Sequence, residues 1–318
     1  MITVTQLEYA LAVEKYRHFG KAAKACSVSQ PTLSQQLQKL EDDVGIVLFD
    51  RIQKPILPTE EGKLFLEQAR NVKREHEKLL HVSNQSLGGE VAGDFRLGVI
   101  PTIASNLLPQ FLKSFSKTYP KVDLYIEEMK TESILSELRS DKLDGAILAT
   151  PITGSDLKIH PLFYEPFLVY FSPQHPLLKK TALIREDLDA SEMWLLQDGN
   201  CFKGQILNFC ALPANFEAGL SNVHFQSGSL DTLRRLVQSN RGYTLIPAMM
   251  ALTLDKREVA AHVRPFKAPI PVREVSFVYR RDHWKLKIIQ AIEKTVSSTL
   301  PSEIRPTPEK NQIVLEIC

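Results

Sequence analysis

The sequence predicts an α/β protein in three parts: an N-terminal winged helix-turn-helix, a long linker helix and a bilobed α/β body. Three apolar helical stripes stand close together in residues 1–58. One long amphipathic helix follows them, and from residue 91 strands alternate with helices. A chain of 318 residues is also long enough for two or three domains, each with its own core.

Composition narrows the class of protein. The chain is 43% hydrophobic and 24% charged, which is typical of a globular protein. Its net charge is only +2, so any nucleic-acid site must be a local patch. We find no apolar run of about 18 residues and no signal-peptide pattern at the N-terminus. We therefore expect a cytoplasmic protein with no membrane partner, no cofactor and no catalytic residue.

The third apolar stripe predicts the second helix of a helix-turn-helix. Leu33, Leu37, Leu40 and Val44 recur at four-three-four spacing. Only residues 27–29 separate this stripe from the second one, which is short enough for the turn of such a motif. Ser29 is suited to cap the third helix, and Pro31 is suited to its first turn. Cys26 falls on the apolar face of the second helix, so we expect it to lie in the core.

The polar face of the third helix carries side chains of the kind that read base edges and phosphates. Positions 15–39 hold five basic residues and no acidic one, which predicts a local positive face. A short extended wing follows this helix. A solvated polar face is the alternative to DNA binding. The residues predicted to contact DNA are Lys21, Gln30, Pro31, Thr32, Ser34, Gln35, Lys39 and, in the wing, Arg51.

Residues 59–90 predict a linker helix that pairs with a second copy of the chain. Thr59 is suited to cap this helix. On a lone helix, an apolar seam with coiled-coil spacing would be exposed to water, so we expect a dimer. A dimer also fits an operator with two half-sites. His76 lies on this seam and is more simply explained by packing than by metal binding. The seam residues are Phe65, Ala69, Val72, His76 and Leu79.

The body shows two sets of strands and helices. In parallel βαβ units ligands lie at the carboxyl ends of strands, beside helix N-termini. Thr102 and Thr131 open helices at such positions, where a pocket role and a plain N-cap are compatible. Predicted strands cover 95–100, 122–126, 146–149, 167–171, 194–196, 223–226, 243–246 and 272–279, and predicted helices cover 102–117, 131–140, 229 onward and 283–300.

The last predicted strand and helix, 272–279 and 283–300, return to the first set of elements, which divides this body into two lobes. Residues 91–166 and 269–300 are expected to form regulatory subdomain I, and residues 167–268 subdomain II. Residues 301–318 form a tail that we expect to be mobile, with an exposed thiol at Cys318.

Cys201 and Cys210 lie nine positions apart in a segment whose composition packing explains poorly. A thiolate needs positive potential, and Cys201 falls in the first turn of a predicted helix with Lys203 two residues on. If the segment is helical, the two sulfurs lie about 13 Å apart along the axis. A disulfide needs Cα atoms within about 7 Å, so the pair can bond only if the helix unwinds. The simpler alternative is that both thiols fill space in a core, and a zinc site has weaker support.

Two groups of motifs stand out in the first 109 residues. The first group is Ala22-Ala23, Ser29-Gln30-Pro31-Thr32-Leu33-Ser34, Leu40-Glu41, Gly45, Leu48-Phe49, Arg51 and Leu57-Pro58-Thr59-Glu60-Glu61-Gly62, and the second is Gly98-Val99-Ile100-Pro101-Thr102 and Leu107-Leu108-Pro109. With the first group, the N-terminal segment resembles the winged helix of LysR-type transcriptional regulators, which implies that helix 30–44 enters the major groove. With the second group, the body resembles the periplasmic-binding-protein-like effector domain of the same family.

Four further runs lie around and after the two cysteines of the body. They are Leu195-Leu196-Gln197-Asp198-Gly199-Asn200-Cys201, Phe209-Cys210, Ser229-Leu230-Asp231-Thr232-Leu233-Arg234 and Thr244-Leu245-Ile246-Pro247-Ala248. In these runs the chain is most similar, within that family, to the OxyR peroxide sensors. The resemblance implies that Cys201 is oxidised by hydrogen peroxide to a sulfenic acid and that Cys210 resolves it to a disulfide. It further implies that Thr102 and Thr131 help to hold peroxide and that Arg273 stabilises the thiolate.

Two positions beside Cys201 depart from the pattern of these sensors. Asn200 stands where histidine is frequent, and Gly204 stands where an acid is common.

We predict a dimeric or tetrameric regulator with promoter DNA, RNA polymerase and cellular thiol reductants as partners. The alternatives are a regulator that binds a small organic anion between its lobes, a thiol peroxidase, and a transporter's solute-binding protein. The basic window at 15–39 argues against the peroxidase, and the missing export signal argues against the solute-binding protein.

Overall fold

We describe the protein from a computed structural model, which describes residues 1–52, 54–85, 90–152, 154–197, 199–213, 216 and 228–316. The chain divides into two units, Met1–Glu90 and Val91–Cys318. Among the described helices, none combines the length and the apolar character that crossing a bilayer requires.

The first unit is a helix-turn-helix with a two-stranded wing and a long helix. Leu33, Leu37 and Leu40 are fully buried in its core, as the apolar stripe predicted. Ser29 accepts a hydrogen bond from the Thr32 backbone N–H, and this cap begins the third helix. The elements are α1 Val4–Tyr16, α2 Phe19–Ala25, α3 Gln30–Val44, β1 Phe49–Asp50, β2 Leu57–Pro58 and α4 Glu60–Gln85.

The second unit is a mixed sheet covered by helices. Its strands run in the order β4-β3-β5-β9-β6-β7, with β10 beside β9 and β8 beside β6. The elements are β3 Gly93–Val99, α5 Pro101–Thr118, β4 Val122–Glu128, α6 Thr131–Arg139, β5 Gly145–Thr150, β6 Leu157–Phe171, α7 Cys201–Phe209, α8 Leu230–Ser239, β7 Tyr243–Pro247, α9 Ala248–Thr253, α10 Lys256–His262, β8 Val263–Pro265, β9 Ile270–Arg280, α11 Leu286–Thr299 and β10 Gln312–Val314.

One long strand joins the two halves of this unit. The first part of β6 pairs antiparallel with β9 as far as Pro166, after which Phe167–Phe171 pairs with β7 and Leu168–Tyr170 with β8. In the first half, β3 lies between β4 and β5 and runs parallel to both, as the βαβ pattern predicted. Each half has its own apolar cluster, one around Phe95 and Phe277 and the other around Phe171 and Tyr243.

The structure does not confirm two of the predicted strands, 194–196 and 223–226. Residues 194–196 are not a strand: the segment makes a single parallel bridge at Met193 to Tyr243. The chain then leaves the sheet edge because it must turn at Gly199 to start α7. The predicted strand at 223–226 lies outside the described residues. Helices α9 and α10 were not predicted, since each spans fewer than two full turns of sequence pattern.

The prediction of a mobile tail is wrong for residues 301–316. Ile304 and Leu315 are 4% and 7% exposed, and β10 pairs parallel with Ile270–Val272 of β9. The physical reason is that β5 pairs with β9 only from Glu274 onward, so the edge before that residue is open to another strand. The tail supplies that strand and an apolar side chain to each core. Cys318 lies outside the described residues.

Candidate functional site

Cys201 is the first residue of α7 and lies where the two halves of the second unit meet. Gly199 adopts a positive φ of 81°, which lets the chain turn sharply into the helix. Asn200 is the N-cap, although its side chain makes no capping hydrogen bond. The Cys201 side chain is 9% exposed and belongs to the first apolar cluster, whereas Phe202 belongs to the second.

Thr131 lies directly against Cys201. Its hydroxyl shares a hydrogen bond with the Cys201 Sγ atom. Thr131 is the first residue of α6, and the N-cap of that helix is Lys130 with no side-chain capping bond. Thr131 therefore serves the cysteine and not the helix cap. Thr131 and Cys201 thus each stand at a helix N-terminus, where the helix dipole contributes positive potential.

Arg273 and Thr102 form a second polar cluster beside this one. The guanidinium donates from Nη1 to the Thr102 hydroxyl at 2.9 Å and from Nη2 to the Thr102 carbonyl at 3.0 Å. Its Nε donates to Glu165 at 2.8 Å, and both members of this ion pair are 1% exposed. The guanidinium carbon lies 5.1 Å from the centre of the Phe202 ring, next to the cysteine in sequence. Arg273 is thus fixed behind α7.

The Cys201 thiol is held mostly protonated at neutral pH. Burial raises its pKa above the ordinary value of 9.0, while the Thr131 hydrogen bond and the charge of Arg273 lower it, and Glu132 raises it. The net direction is upward. Burial therefore outweighs the positive potential that the sequence predicted, and the thiolate forms with the help of Thr131 and Arg273.

Cys210 follows the last residue of the same helix. Burial raises its pKa to about 11, against a smaller lowering by the charge of Arg185. Positions 201 and 210 lie about 13 Å apart along a regular helix, and both thiols are free in this structure. The predicted helix after the turn at Gly199 and Asn200 is present, so a Cys201–Cys210 bond requires it to unwind.

The two remaining residues predicted for the pocket are Asn200 and Lys203. Asn200 and Lys203 flank Cys201 and are each half-buried. A Cβ atom added at Gly199 would lie 3.4 Å from the Lys130 Nζ atom, so this ammonium also approaches the turn before α7. The pocket roles of Asn200 and Lys203 stay predictions.

Sequence reasoning missed two residues of the site. Glu165 is the carboxylate partner of Arg273 and also accepts the Met249 backbone N–H at 2.8 Å. Its signal was a lone acidic residue in an otherwise apolar strand, because a buried charge needs a partner. Phe202 lies between Arg273 and Phe167, whose ring centroid is 5.0 Å away. Nothing in the sequence distinguished this phenylalanine from ordinary core.

The residues predicted to contact DNA share the solvent side of α2 and α3. Ser34 is half-buried, while the other α3 positions are exposed opposite the buried leucines. Arg51 is exposed but forms an ion pair with Glu41 and lies over the Phe19 ring at 5.7 Å. This pairing fixes the wing to α3, and DNA contact by Arg51 stays a prediction. The exposed residues are Lys21, Gln30, Pro31, Thr32, Gln35, Lys39 and Arg51.

Family profiles match both units of the chain. Residues 4–63 match the bacterial regulatory helix-turn-helix protein of the lysR family, and residues 88–298 match the LysR substrate binding domain. Solved structures are similar over the same regions. A full-length OxyR variant from Pseudomonas aeruginosa has a TM-score of 0.78 at 32% identity, covering 98% of this chain and 99% of that one. Reduced OxyR from Porphyromonas gingivalis has a TM-score of 0.62 at 31% identity, covering 70% and 100%.

Curated relatives match along most of their length. The hydrogen peroxide-inducible genes activator of Haemophilus influenzae is 36% identical over 94% of this chain and 99% of its own length. The DNA-binding transcriptional dual regulator OxyR of Escherichia coli is 37% identical over 88% of this chain and 90% of its own length. The chain therefore belongs to the LysR family of DNA-binding transcriptional regulators, within its OxyR group, and is not an enzyme.

Proposed function

We propose that this regulator senses hydrogen peroxide through a reversible disulfide between Cys201 and Cys210. The observation that carries the proposal is the position of Cys201, which opens α7 against the Thr131 hydroxyl while Cys210 ends the same helix. The relatives named as peroxide-inducible gene activators support the choice of signal. Because the chain acts once per oxidation event, it serves as a switch.

The chemistry has two balanced steps. The Cys201 thiolate attacks one peroxide oxygen, the O–O bond breaks, and the departing hydroxide takes a proton to become water. This leaves a sulfenic acid on Cys201. The Cys210 thiolate then attacks the Cys201 sulfur, and the sulfenic oxygen leaves as a second water. Two thiols supply the two electrons, and cellular thiol reductants return them when the disulfide is reduced.

The residues around the sulfur have separate roles in the first step. Thr131 hydrogen-bonds the Cys201 Sγ atom and orients it. Thr102 accepts from Arg273 through its hydroxyl oxygen, so its own proton is free to be donated to peroxide or water. Arg273 contributes positive potential from a fixed position. We propose that Asn200 and Lys203 line the entrance, where their half-buried side chains adjust access to the thiol.

Disulfide formation then changes the shape of the second unit. The segment 199–211 must lose its helical form to bring the two sulfurs together. Cys201 packs with the first apolar cluster and most of α7 with the second, so this repacking shifts the two lobes. We propose lobe borders at 166/167 and 268/269, supported by the change of β6 partners after Pro166.

In this proposal the first unit binds promoter DNA. Regulators of this family bind promoter DNA and oligomerise, and we propose that α3 enters the major groove with the exposed residues described above. Val72 and Leu79 of α4 are 49% and 69% exposed, which supports pairing of this helix with a second copy. Tetramer formation, contact with RNA polymerase and a cytoplasmic location complete the proposal.

A small organic anion between the lobes is the second candidate signal. It would use Thr102, Thr131 and Arg273 as its ligands. The guanidinium already binds the Glu165 carboxylate, however, so it attracts a second carboxylate less strongly than an unpaired arginine would. Thr131 is likewise engaged by the cysteine. Peroxide, which is small and neutral, suits this crowded site better than a carboxylate ligand.

A footprinting experiment separates the two candidates. DNA selected by the protein from a random pool is footprinted with and without peroxide, using wild type, Cys201→Ser and the matched control Cys26→Ser. The proposal predicts that peroxide changes the footprint of wild type and of the Cys26 variant only. A peroxide-dependent change that survives Cys201→Ser would reject the disulfide switch.

A further inference from the structure

The tail after α11 is attached to both halves of the second unit. Ile304 packs in the first apolar cluster and Leu315 in the second. Between them, the Tyr164 backbone N–H donates to the Arg305 carbonyl at 2.8 Å, and β10 pairs with Ile270–Val272. The paired residues stand immediately before Arg273 in sequence. Residues 301–316, which we name the strap, therefore run from one lobe to the other.

The end of the strap is bonded to α7 itself. Gln205 Nε2 donates to the Leu315 carbonyl at 3.0 Å, and Asn208 Nδ2 donates to the Glu316 carbonyl at 3.3 Å. Both donors lie on the helix between the two cysteines. Leu315 is also held from the other side, since its backbone N–H donates to the Val272 carbonyl at 2.9 Å.

Gln205 is a buried amide whose hydrogen bonding is only partly satisfied. Its side chain is 0% exposed, and its Oε1 atom has no hydrogen-bond partner among the described residues. A buried amide with one open acceptor is less favourable than an apolar side chain of the same size. The bond from Nε2 to the strap is what the residue contributes at this position.

We propose that the strap holds α7 in its reduced, helical form, and that closing the Cys201–Cys210 bond releases the strap from this helix. The inference rests on the proposed disulfide switch. When α7 unwinds, Gln205 and Asn208 move away from the two carbonyls that they bind in the helix. The strap therefore has differential affinity for the two states, which is the requirement for biasing a two-state element.

The same bias acts in both directions. A strap that binds only the helical state disfavours the disulfide at equilibrium, and the disulfide weakens binding of the strap to α7 by the same factor. It thus sets how much peroxide is needed to close the switch. Because β10 pairs with the strand that leads into Arg273, release of the strap also frees the edge of β9 beside the peroxide pocket.

Two matched substitutions in the strap test the proposal in the full-length protein with Cys318→Ser. Leu315→Asp places a charge at a site that is 7% exposed, and Ile313→Asp makes the same kind of change at a site that is 47% exposed. In reduced protein, we expect amide exchange in α7 to rise about tenfold for Leu315→Asp, from loss of the strap bonds, and to stay unchanged for Ile313→Asp. After peroxide, closure of the Cys201–Cys210 bond should be about tenfold faster for Leu315→Asp alone.

A second variant, Gln205→Met, keeps the proposal testable if Leu315→Asp unfolds the protein. Gln205→Met keeps the apolar volume and removes one bond, so exchange and closure should shift severalfold in the same direction. In wild type, oxidation should also expose the amides of Ile270 and Leu315 to exchange. Wild-type rates in both Leu315→Asp and Gln205→Met would overturn the strap while leaving the switch intact. Failure of wild type to form any disulfide would instead overturn the proposed function, and with it the release of the strap.

Discussion

The hydroxyl of Thr131 and the sulfur of Cys201 share a hydrogen bond that joins the first residue of one helix to the first residue of another. The two residues are 70 positions apart in sequence. Their meeting places a buried thiol at two positive helix ends while Arg273 stands behind it. Burial raises the pKa of the Cys201 thiol, and the Thr131 hydrogen bond and the charge of Arg273 offset part of that rise.

Replacing Thr131 by valine tests this bond. The change keeps the side-chain shape and removes the hydroxyl that lowers the pKa of Cys201. We expect oxidation of Cys201 by peroxide to slow about tenfold, the usual scale for a hydrogen bond to a charged group. Stopped-flow measurement of sulfenic acid formation in a Cys210→Ser background reports the rate. Thr118→Val, at an exposed position of α5, is the control. Equal rates in the two variants would remove Thr131 from the mechanism.

The reactivity of Cys201 should depend on pH in a defined direction. Burial raises the pKa of Cys201 above 9.0, so the thiolate is the minor form at neutral pH. Its fraction grows about tenfold per pH unit below the pKa. We expect alkylation of Cys201, in protein with the other three cysteines replaced by serine, to rise steadily from pH 6 to pH 9. A plateau reached below pH 8 would show that the pKa is lowered.

Glu165→Gln should destabilise the second unit. The substitution leaves Arg273 buried without its carboxylate, and breaking a buried ion pair in this way costs about 3–5 kcal/mol. Urea unfolding of the second unit measures the loss. Glu132→Gln is the matched control on the exposed first turn of α6, where the same chemical change should cost less than about 1 kcal/mol. Similar stability in the two variants would mean that the ion pair is dispensable.

Two substitutions on α3 should separate base reading from phosphate binding. Gln35→Ala should reduce discrimination between the selected DNA and mismatched DNA by about 1–3 kcal/mol. Lys39→Ala should instead weaken binding to all sequences and lower the salt slope by about one. Titrations by fluorescence anisotropy at several salt concentrations measure both effects. Lys63→Ala on α4 is the control, and an effect of equal size there would contradict the assignment of the DNA face.

Local patterns made the helices of the first unit and the βαβ units predictable. The spacing of Leu33, Leu37 and Leu40 matches one buried helix face, and Ser29 followed by Pro31 marks where that helix begins. Helix α7 was predictable for the same reason, since Gly199 and Asn200 form a turn before an apolar run. Such signals are local in sequence and depend little on the rest of the fold.

The parts that sequence missed depend on distant partners. The 194–196 segment has strand-like composition, yet only one bridge to Tyr243 fits before the chain turns. The content of Pro, Glu and Lys in the tail predicts mobility, which is wrong for residues 301–316. Its order comes from an open edge of β9 and from Gln205 and Asn208, which lie about a hundred residues earlier. Glu165 and Arg273 meet across 108 positions for a similar reason.

The most direct test of the account is a thiol count on the purified protein, before and after one equivalent of hydrogen peroxide, followed by peptide mapping. The chain has four cysteines. We predict that the count falls rapidly from four to two and that the lost thiols map to a single Cys201–Cys210 bridge, which a thiol reductant then reverses. Retention of both thiols, or slow oxidation scattered over the cysteines, would contradict the proposed switch.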